Sequence, residues 1–275
     1  MQFFNKTSPI GIFDSGIGGL TVAKRIISML PNENIIYFGD TARVPYGTKS
    51  NDTVIEYSLQ DAQFLINKNV KLIIVACNTA SSVAISKLKE KFDIPIIGMI
   101  EPGAHLAISS TKNGKVGVIG TNSTISNKAY SNEVKRLNKD LEIIEKPCPL
   151  FVPVAEEGWL DHAATKLIAQ EYLQDLVDFG VDTVILGCTH YPLLSEVIQN
   201  VMGNDVTLID SGYAASLNVE NYLNGRGVRN DSNQLGTHYF YVSDLPDKFK
   251  SVAERFLGTE VENIEKIDVD SLLMH

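Results

Sequence analysis

Two cysteines stand in matching surroundings. Cys77 closes the apolar run of "LIIVACNTAS", and Cys188 closes that of "TVILGCTHYP". They lie 188 − 77 = 111 residues apart. A thiol has a reference pKa of about 8.5, so it gives and takes protons near neutral pH. The start of a following helix favours the thiolate through its unpaired N–H groups. Two thiols on opposite faces of one carbon can therefore exchange a proton through it. One removes hydrogen as thiolate and the other returns hydrogen as thiol, which is the geometry that inverts a stereocentre. A single buried cysteine is ordinary core material. Two, each at the end of an apolar run and each followed by hydroxyl or amide groups, read as a pair of acid–base groups. Cys148, in "KPCPLF", sits between prolines and reads as structural.

Other residues near these runs carry usable chemistry. Asp14 ends "IGIFD" and is followed by Ser15 and a glycine-rich turn, Gly16, Gly18 and Gly19. The aspartate suits a substrate ammonium or assistance to a thiol, and equally a helix N-cap. The turn fits neither GxGxxG nor a Walker motif, so a carboxylate or a plain turn is expected there rather than a dinucleotide. His190, two residues after Cys188, can donate to a carboxylate, tune that thiol, or serve as a satisfied core histidine. Cys77, Cys188 and His190 offer zinc-type atoms, but no CxxC or HExxH spacing accompanies them, so no metal is expected. "FGDTARVPYGTKS" is a polar excursion in which Asp40, Arg43, Tyr46 and Gly47 suit a lid, a donor loop or a plain surface loop. "VAEEGWLD" places Glu156 and Glu157 beside the only tryptophan, where a solvated helix start and a catalytic role explain them equally well.

These residues need elements to hold them. Short β-branched runs occur at Ile10, Ile35, Lys71, Ile94, Lys115, Leu141, Thr183 and Asp205. Most lack polar alternation, as strands covered on both faces do. Amphipathic stretches separate them; in "DTVIEYSLQDAQFLINKN", Val54, Tyr57, Leu59, Ala62, Leu65 and Ile66 fall near one face. Alternating strand and helix predicts an α/β fold with mainly parallel, doubly wound sheets. "IGIFDS" resembles "VGVIGT" at an offset of 106, and the cysteine segments are offset by 111. Two similar units with facing edges follow: residues 1–99 with 210–275, and residues 100–209. The segment from Asp210 reads as a helix that packs back on the first unit. Ligands of open parallel sheets bind beyond the C-terminal strand ends, where Asp14–Ser15, Cys77–Asn78–Thr79, Gly120–Thr121 and Cys188–Thr189–His190 all fall.

The chain has 275 residues, 44% hydrophobic and 21% charged, enough for a substantial core. Its formal net charge of −9 argues against nucleic-acid binding and leaves small molecules as the expected ligands. No stretch approaches the roughly 20 apolar residues of a membrane span, and no secretory signal is visible at the start. Three cysteines make no disulfide framework, so reduced thiols and a cytoplasmic location are expected.

"GIFDSGIGGLTV", "GDTARVPYG", "ACNTAS" and "LGCTHYPLL" together resemble the cofactor-independent glutamate racemases of bacterial cell-wall synthesis. Aspartate and hydantoin racemases share the paired-cysteine plan, and "CTHYPLL" favours glutamate. The resemblance implies two α/β domains related by pseudo-twofold symmetry, with the site between them. It implies Cys77 and Cys188 as acid–base residues, with Asp14, Glu156 and His190 assisting proton transfer. It implies substrate contacts from Asp14, Ser15, Tyr46, Gly47, Asn78, Thr79, Thr189 and His190, and from Thr121 in the second unit. No cofactor is implied, and a homodimer is. The activity implied is interconversion of L- and D-glutamate, which supplies D-glutamate to peptidoglycan and so to cell shape. A racemase for aspartate or another amino acid, a non-catalytic α/β binding protein and a thiol redox protein are the rival readings.

Overall fold

The β-branched runs form strands because parallel sheets with helices on both faces bury nearly every strand side chain. A computed structural model describes residues 5–244 and 249–268. The strands are β1 (Ile10–Asp14), β2 (Ile35–Gly39), β3 (Leu72–Val75), β4 (Ile96–Ile97), β5 (Lys115–Gly120), β6 (Glu142–Pro147), β7 (Thr183–Gly187), β8 (Thr207–Asp210), β9 (His238–Val242) and β10 (Ile264–Lys266). Between and after them run α1 (Leu20–Met29), α2 (Asn51–Asn67), α3 (Asn78–Val83), α4 (Ile85–Lys91), α5 (Ile100–Ser110), α6 (Asn122–Ser126), α7 (Ala129–Leu137), α8 (Phe151–Glu156), α9 (Ala163–Phe179), α10 (Ser195–Met202), α11 (Ser211–Arg226) and α12 (Phe249–Leu257). Among the described residues no helix is long and apolar enough to cross a membrane.

The strands form two wholly parallel sheets, β10-β9-β2-β1-β3-β4 and β6-β5-β7-β8. The core of the first, β2-β1-β3-β4, has the same order as the whole of the second. The registers agree as well. Ile10 pairs with Leu72 across β1 and β3, and Val116 pairs with Thr183 across β5 and β7. Those partners are related by the two offsets in the sequence, 106 and 111. The repeat is therefore a repeat of pairing, and it puts Cys77 and Cys188 at equivalent strand ends.

Each sheet is covered twice. In the first, Ile10, Ile12, Tyr37 and Ile74 pack with residues of α1, α11 and α12, while Phe13, Phe38, Ile73 and Val75 pack with residues of α2, α3 and α4. In the second, Val184 and Leu186 face α8, α9 and α10, and Val116, Val118 and Ile185 face α5 and α7. This is the doubly wound α/β arrangement expected.

The tail holds more than a helix. The helix expected after Asp210 is α11, capped by Asp210, whose Oδ1 accepts the Gly212 and Tyr213 N–H groups. Beyond it, β9 joins the first sheet against β2, and β10 lies outside β9. A buried ion pair fastens this return. Lys71 and Glu33 are both fully buried, and Lys71 Nζ also donates to the carbonyls of Lys6 and Val228. The Glu33 carboxylate accepts the Asn230 N–H. Every strong donor and acceptor of the pair is thus satisfied, the condition under which a buried ion pair is tolerated.

Helix α2 differs from its expected face. It buries Val54, Ala62 and Leu65, but also Ser58, Gln60 and Asp61, while Tyr57, Leu59 and Ile66 are only partly buried. Gln60 and Asp61 are buried because they meet the loop after β2, described next, while Ser58 Oγ donates to the Val54 carbonyl of its own helix.

Candidate active site

The strand ends converge as the fold requires. Ser15 follows β1, Cys77–Asn78–Thr79 follow β3, Thr121 follows β5, and Cys188–Thr189–His190 follow β7. All of them line one cavity of about 150 Å³, with Tyr46, Gly47 and Thr48 from the loop after β2. Cys77 and Cys188 enter it from different sheets, and each is nearly buried, at 6% exposure.

The two thiols meet different neighbours. Cys77 caps α3: the Ala80 N–H donates to its Sγ at 3.5 Å, and Ser15 Oγ lies 3.6 Å from it. The helix-start donor is therefore present. It does not prevail, because burial and the charge of Asp14 push the Cys77 thiol up to about 12. Cys188 instead meets a cation. His190 Nδ1 lies 3.7 Å from its Sγ, and His190 Nε2 lies 3.0 Å from Glu156 Oε1. Burial disfavours the imidazolium, yet these two partners outweigh it and hold His190 protonated up to about 10. Both ring nitrogens are committed, so the ring cannot turn without losing one of them.

Asp14 and Glu156 stand behind the cavity rather than in its lining. Asp14 is buried below the glycine turn, where its Oδ2 accepts the Gly16 N–H at 3.2 Å. Its Oδ1 has no partner among the described residues. Burial raises its carboxyl above the ordinary range, against the opposing charge of His190. It is not the cap of α1, whose first turn has no side-chain cap. Glu156 closes α8 rather than opening a helix, and its neighbour Glu157 follows it as the C-cap. The reversal follows from "CPLFVPVAE": Phe151, Val154 and Ala155 bury one face and draw the helix ahead of the glutamates.

Close approach of the two sheets explains two glycines. A Cβ on Gly18 would lie 2.3 Å from Thr189 Oγ1 and 2.5 Å from His190 Cε1. A Cβ on Gly47 would lie 3.0 Å from Thr121 Cβ. Hydrogen bonds cross at the same places. Thr21 Oγ1 donates to the Thr189 carbonyl at 2.8 Å, and the Thr79 and Thr121 hydroxyls meet at 2.9 Å. Asn78 is held from both ends, accepting from the Tyr130 hydroxyl at 2.6 Å and donating to Ser211 Oγ at 3.3 Å.

The polar excursion after β2 is tied down from inside. Arg43 bonds Asp40, Gln60 and Asp61, and the Tyr46 hydroxyl lies within hydrogen-bond distance of both Asp40 and Asp61. Asp40 and Asp61 are wholly buried. Tyr46 thus lines the cavity, but its hydroxyl is spent on this network. Pro45, Asn122, Pro149 and Val152 also line the cavity and were not expected there. Pro149 and Val152 come from the segment around Cys148, which reads as structural because it shows no polar group. An apolar wall gives no other signal in a sequence.

A model of the Asp/Glu/hydantoin racemases matches residues 10–216, a span that contains both cysteine segments and every residue of the cavity. The chain belongs to this family. The glutamate racemase of Geobacter metallireducens is 49% identical over 262 residues, 95% of this chain and 97% of that protein. Among solved structures, the glutamate racemase of Francisella tularensis in complex with D-glutamate superposes with a TM-score of 0.91 at 43% identity, covering 97% of this chain and 99% of that one. A glutamate racemase isoform from Bacillus anthracis superposes with a TM-score of 0.93 at 39% identity, covering 96% and 99%. The matched span covers the whole four-stranded sheet and β1 to β4 of the six-stranded one, and so includes both thiols.

Proposed function

We propose that this chain interconverts L- and D-glutamate by proton transfer at the α-carbon, with Cys77 and Cys188 as the two acid–base groups. One observation carries the reading: thiols from equivalent ends of two like sheets share one small cavity. Similarity to glutamate racemases over nearly the whole chain supports the choice of substrate.

The resting site is asymmetric. Cys77 keeps its proton, because burial and Asp14 oppose its charge. The Cys188 side carries the imidazolium of His190, held by Glu156 and set against the sulfur. Cys188 then takes the α-proton of one enantiomer while Cys77 protonates the other face; the opposite enantiomer reverses the roles. The α-carbon is a weak acid beside an anionic carboxylate. The scheme uses no electron sink such as pyridoxal phosphate, so fixed donors and exclusion of water must stabilise the carbanion-like state. Ser15, Asn78, Thr79, Thr121, Thr189 and the backbone at Gly47 surround the cavity and supply the donors. Asp14 and Glu156 act from behind, on Cys77 and His190 in turn.

In this reading residues 1–99 with 210–275 form one catalytic unit and residues 100–209 the other, with catalysis at their junction. The product serves peptidoglycan synthesis, and a chemistry that needs both thiols reduced suits the cytoplasm. Circular dichroism on L- and D-glutamate in heavy water tests the proposal. Racemisation is expected with deuterium entering at the α-carbon, and Cys77→Ser and Cys188→Ser are each expected to abolish it. Full activity in either variant overturns the two-thiol scheme, and preference for aspartate in a substrate panel overturns the choice of glutamate.

A further inference from the structure

Helix α12 lies 59 residues or more beyond His190, since 249 − 190 = 59, yet it touches the base side of the site. Phe256 is wholly buried in the core of the six-stranded sheet. Its ring meets the His190 ring edge to face, with centroids 5.3 Å apart and planes at 84°. The adjacent Arg255 donates from Nη1 to the backbone carbonyl of Glu156 at 2.8 Å. That carbonyl belongs to the same residue whose carboxylate bonds His190 Nε2. Gly158 makes room for the contact: a Cβ there would lie 2.7 Å from Arg255 Nη1.

Each restraint acts on a different degree of freedom. Cys188 and Glu156 fix the two nitrogens of the His190 ring, but a ring can still tilt about the line joining them. Phe256 stands at the ring and blocks that tilt. Arg255 fixes the backbone that carries Glu156, whose own side chain is 37% exposed and otherwise free to drift. No comparable contact from α12 reaches Cys77 among the hydrogen bonds and ring pairs of the described residues. The support is one-sided.

We propose that Phe256 and Arg255 are positioning residues for the Cys188 half of the reaction, holding the His190–Glu156 pair at the angle at which it serves the thiol. The proposal rests on the two-thiol reading above. It makes the C-terminal helix a working part of the site, although none of its residues lines the cavity.

The test uses the full chain with Phe256→Leu, which keeps an apolar side chain, and Arg255→Met at an exposed position. Iodoacetamide is added at pH 7.5, and carboxamidomethylation of Cys77 and Cys188 is followed separately by peptide mass spectrometry. In each variant Cys188 is expected to react about tenfold more slowly, the worth of one lost aromatic pair or one charged hydrogen bond. Cys77 is expected to stay within about twofold, and kcat to fall about tenfold with KM held within about twofold. A His190→Asn background supplies a second arm: there Phe256→Leu is expected to change neither the Cys188 rate nor kcat, because the residue it acts through is gone. Equal slowing at both thiols, or an undiminished effect in the His190→Asn background, overturns the proposal. Failure of the wild-type chain to racemise glutamate overturns the functional reading instead, and the alkylation arm still reports on α12.

Discussion

Gly18→Ala is the sharpest single perturbation of this site, because one methyl group would fall where the two sheets meet. The added Cβ would lie 2.3 Å from Thr189 Oγ1, 2.5 Å from His190 Cε1 and 2.6 Å from His190 Nδ1. The threonine hydroxyl can rotate away. The histidine ring cannot, because Cys188, Glu156 and Phe256 hold it. Ordinary contact begins near 3.4 Å, so ring and turn must separate by about 0.9 Å (3.4 − 2.5). The Nδ1–Sγ contact is already long at 3.7 Å and does not survive such a shift. A misplacement of about 1 Å in a catalytic group costs on the order of 100-fold, and overpacking costs about 1–3 kcal/mol of stability. Circular dichroism on glutamate should show kcat/KM down about 100-fold, and a thermal melt should show a lowered Tm. Gly225→Ala is the matched control. Its Cβ meets nothing within 4 Å, so it should leave kcat unchanged and stabilise α11 by up to about 1 kcal/mol. A Gly18→Ala enzyme within threefold of wild type and with an unchanged Tm would refute the packing argument.

Lys71→Met strands the buried Glu33 carboxylate without its ion partner and should cost about 3–5 kcal/mol, read as a shift in urea midpoint, while kcat per folded molecule stays the same. His190 has its pKa raised in the fold, so its charge contributes stability that is fully present below its ordinary value of 6.5 and lost as pH rises through about 10. Melts of wild type and His190→Asn should therefore converge between pH 7 and pH 10.5, and a constant gap would contradict the raised value. Tyr46→Phe removes the hydroxyl bonded to Asp40 and Asp61 and leaves the cavity wall apolar and nearly unchanged in volume. It should lower Tm and alter KM through a loosened loop, and a change confined to kcat would count against this role.

Much of the frame was legible because parallel strands announce themselves. All eight apolar runs became strands, and the two offsets between the half-chains reappear as one shared register. The residues at strand ends were legible for the same reason, since a strand end is where a parallel sheet delivers its side chains. What escaped was whatever depends on a distant partner. "HYFYV" is short and only partly buried, and becomes a strand because β2 offers it an edge. Asp61 sits on the buried side of a helix only because Arg43 and Tyr46 come to meet it. Glu156 was seen, but its place at a helix end behind His190 was not. The apolar wall of Pro149 and Val152 had no polar signature to find.

The return of β9 to the first sheet has a consequence for biosynthesis. The four-stranded sheet is drawn from one continuous stretch, residues 115–210, whereas the six-stranded sheet joins residues 10–97 to residues 238–266. On a ribosome the half that emerges first is therefore the half completed last. Until β9 arrives, the β2 edge stands open with its peptide groups unpaired, a template for wrong partners. The nascent chain carries that exposed edge through the whole translation of the other sheet, and slow translation of that stretch lengthens the exposure.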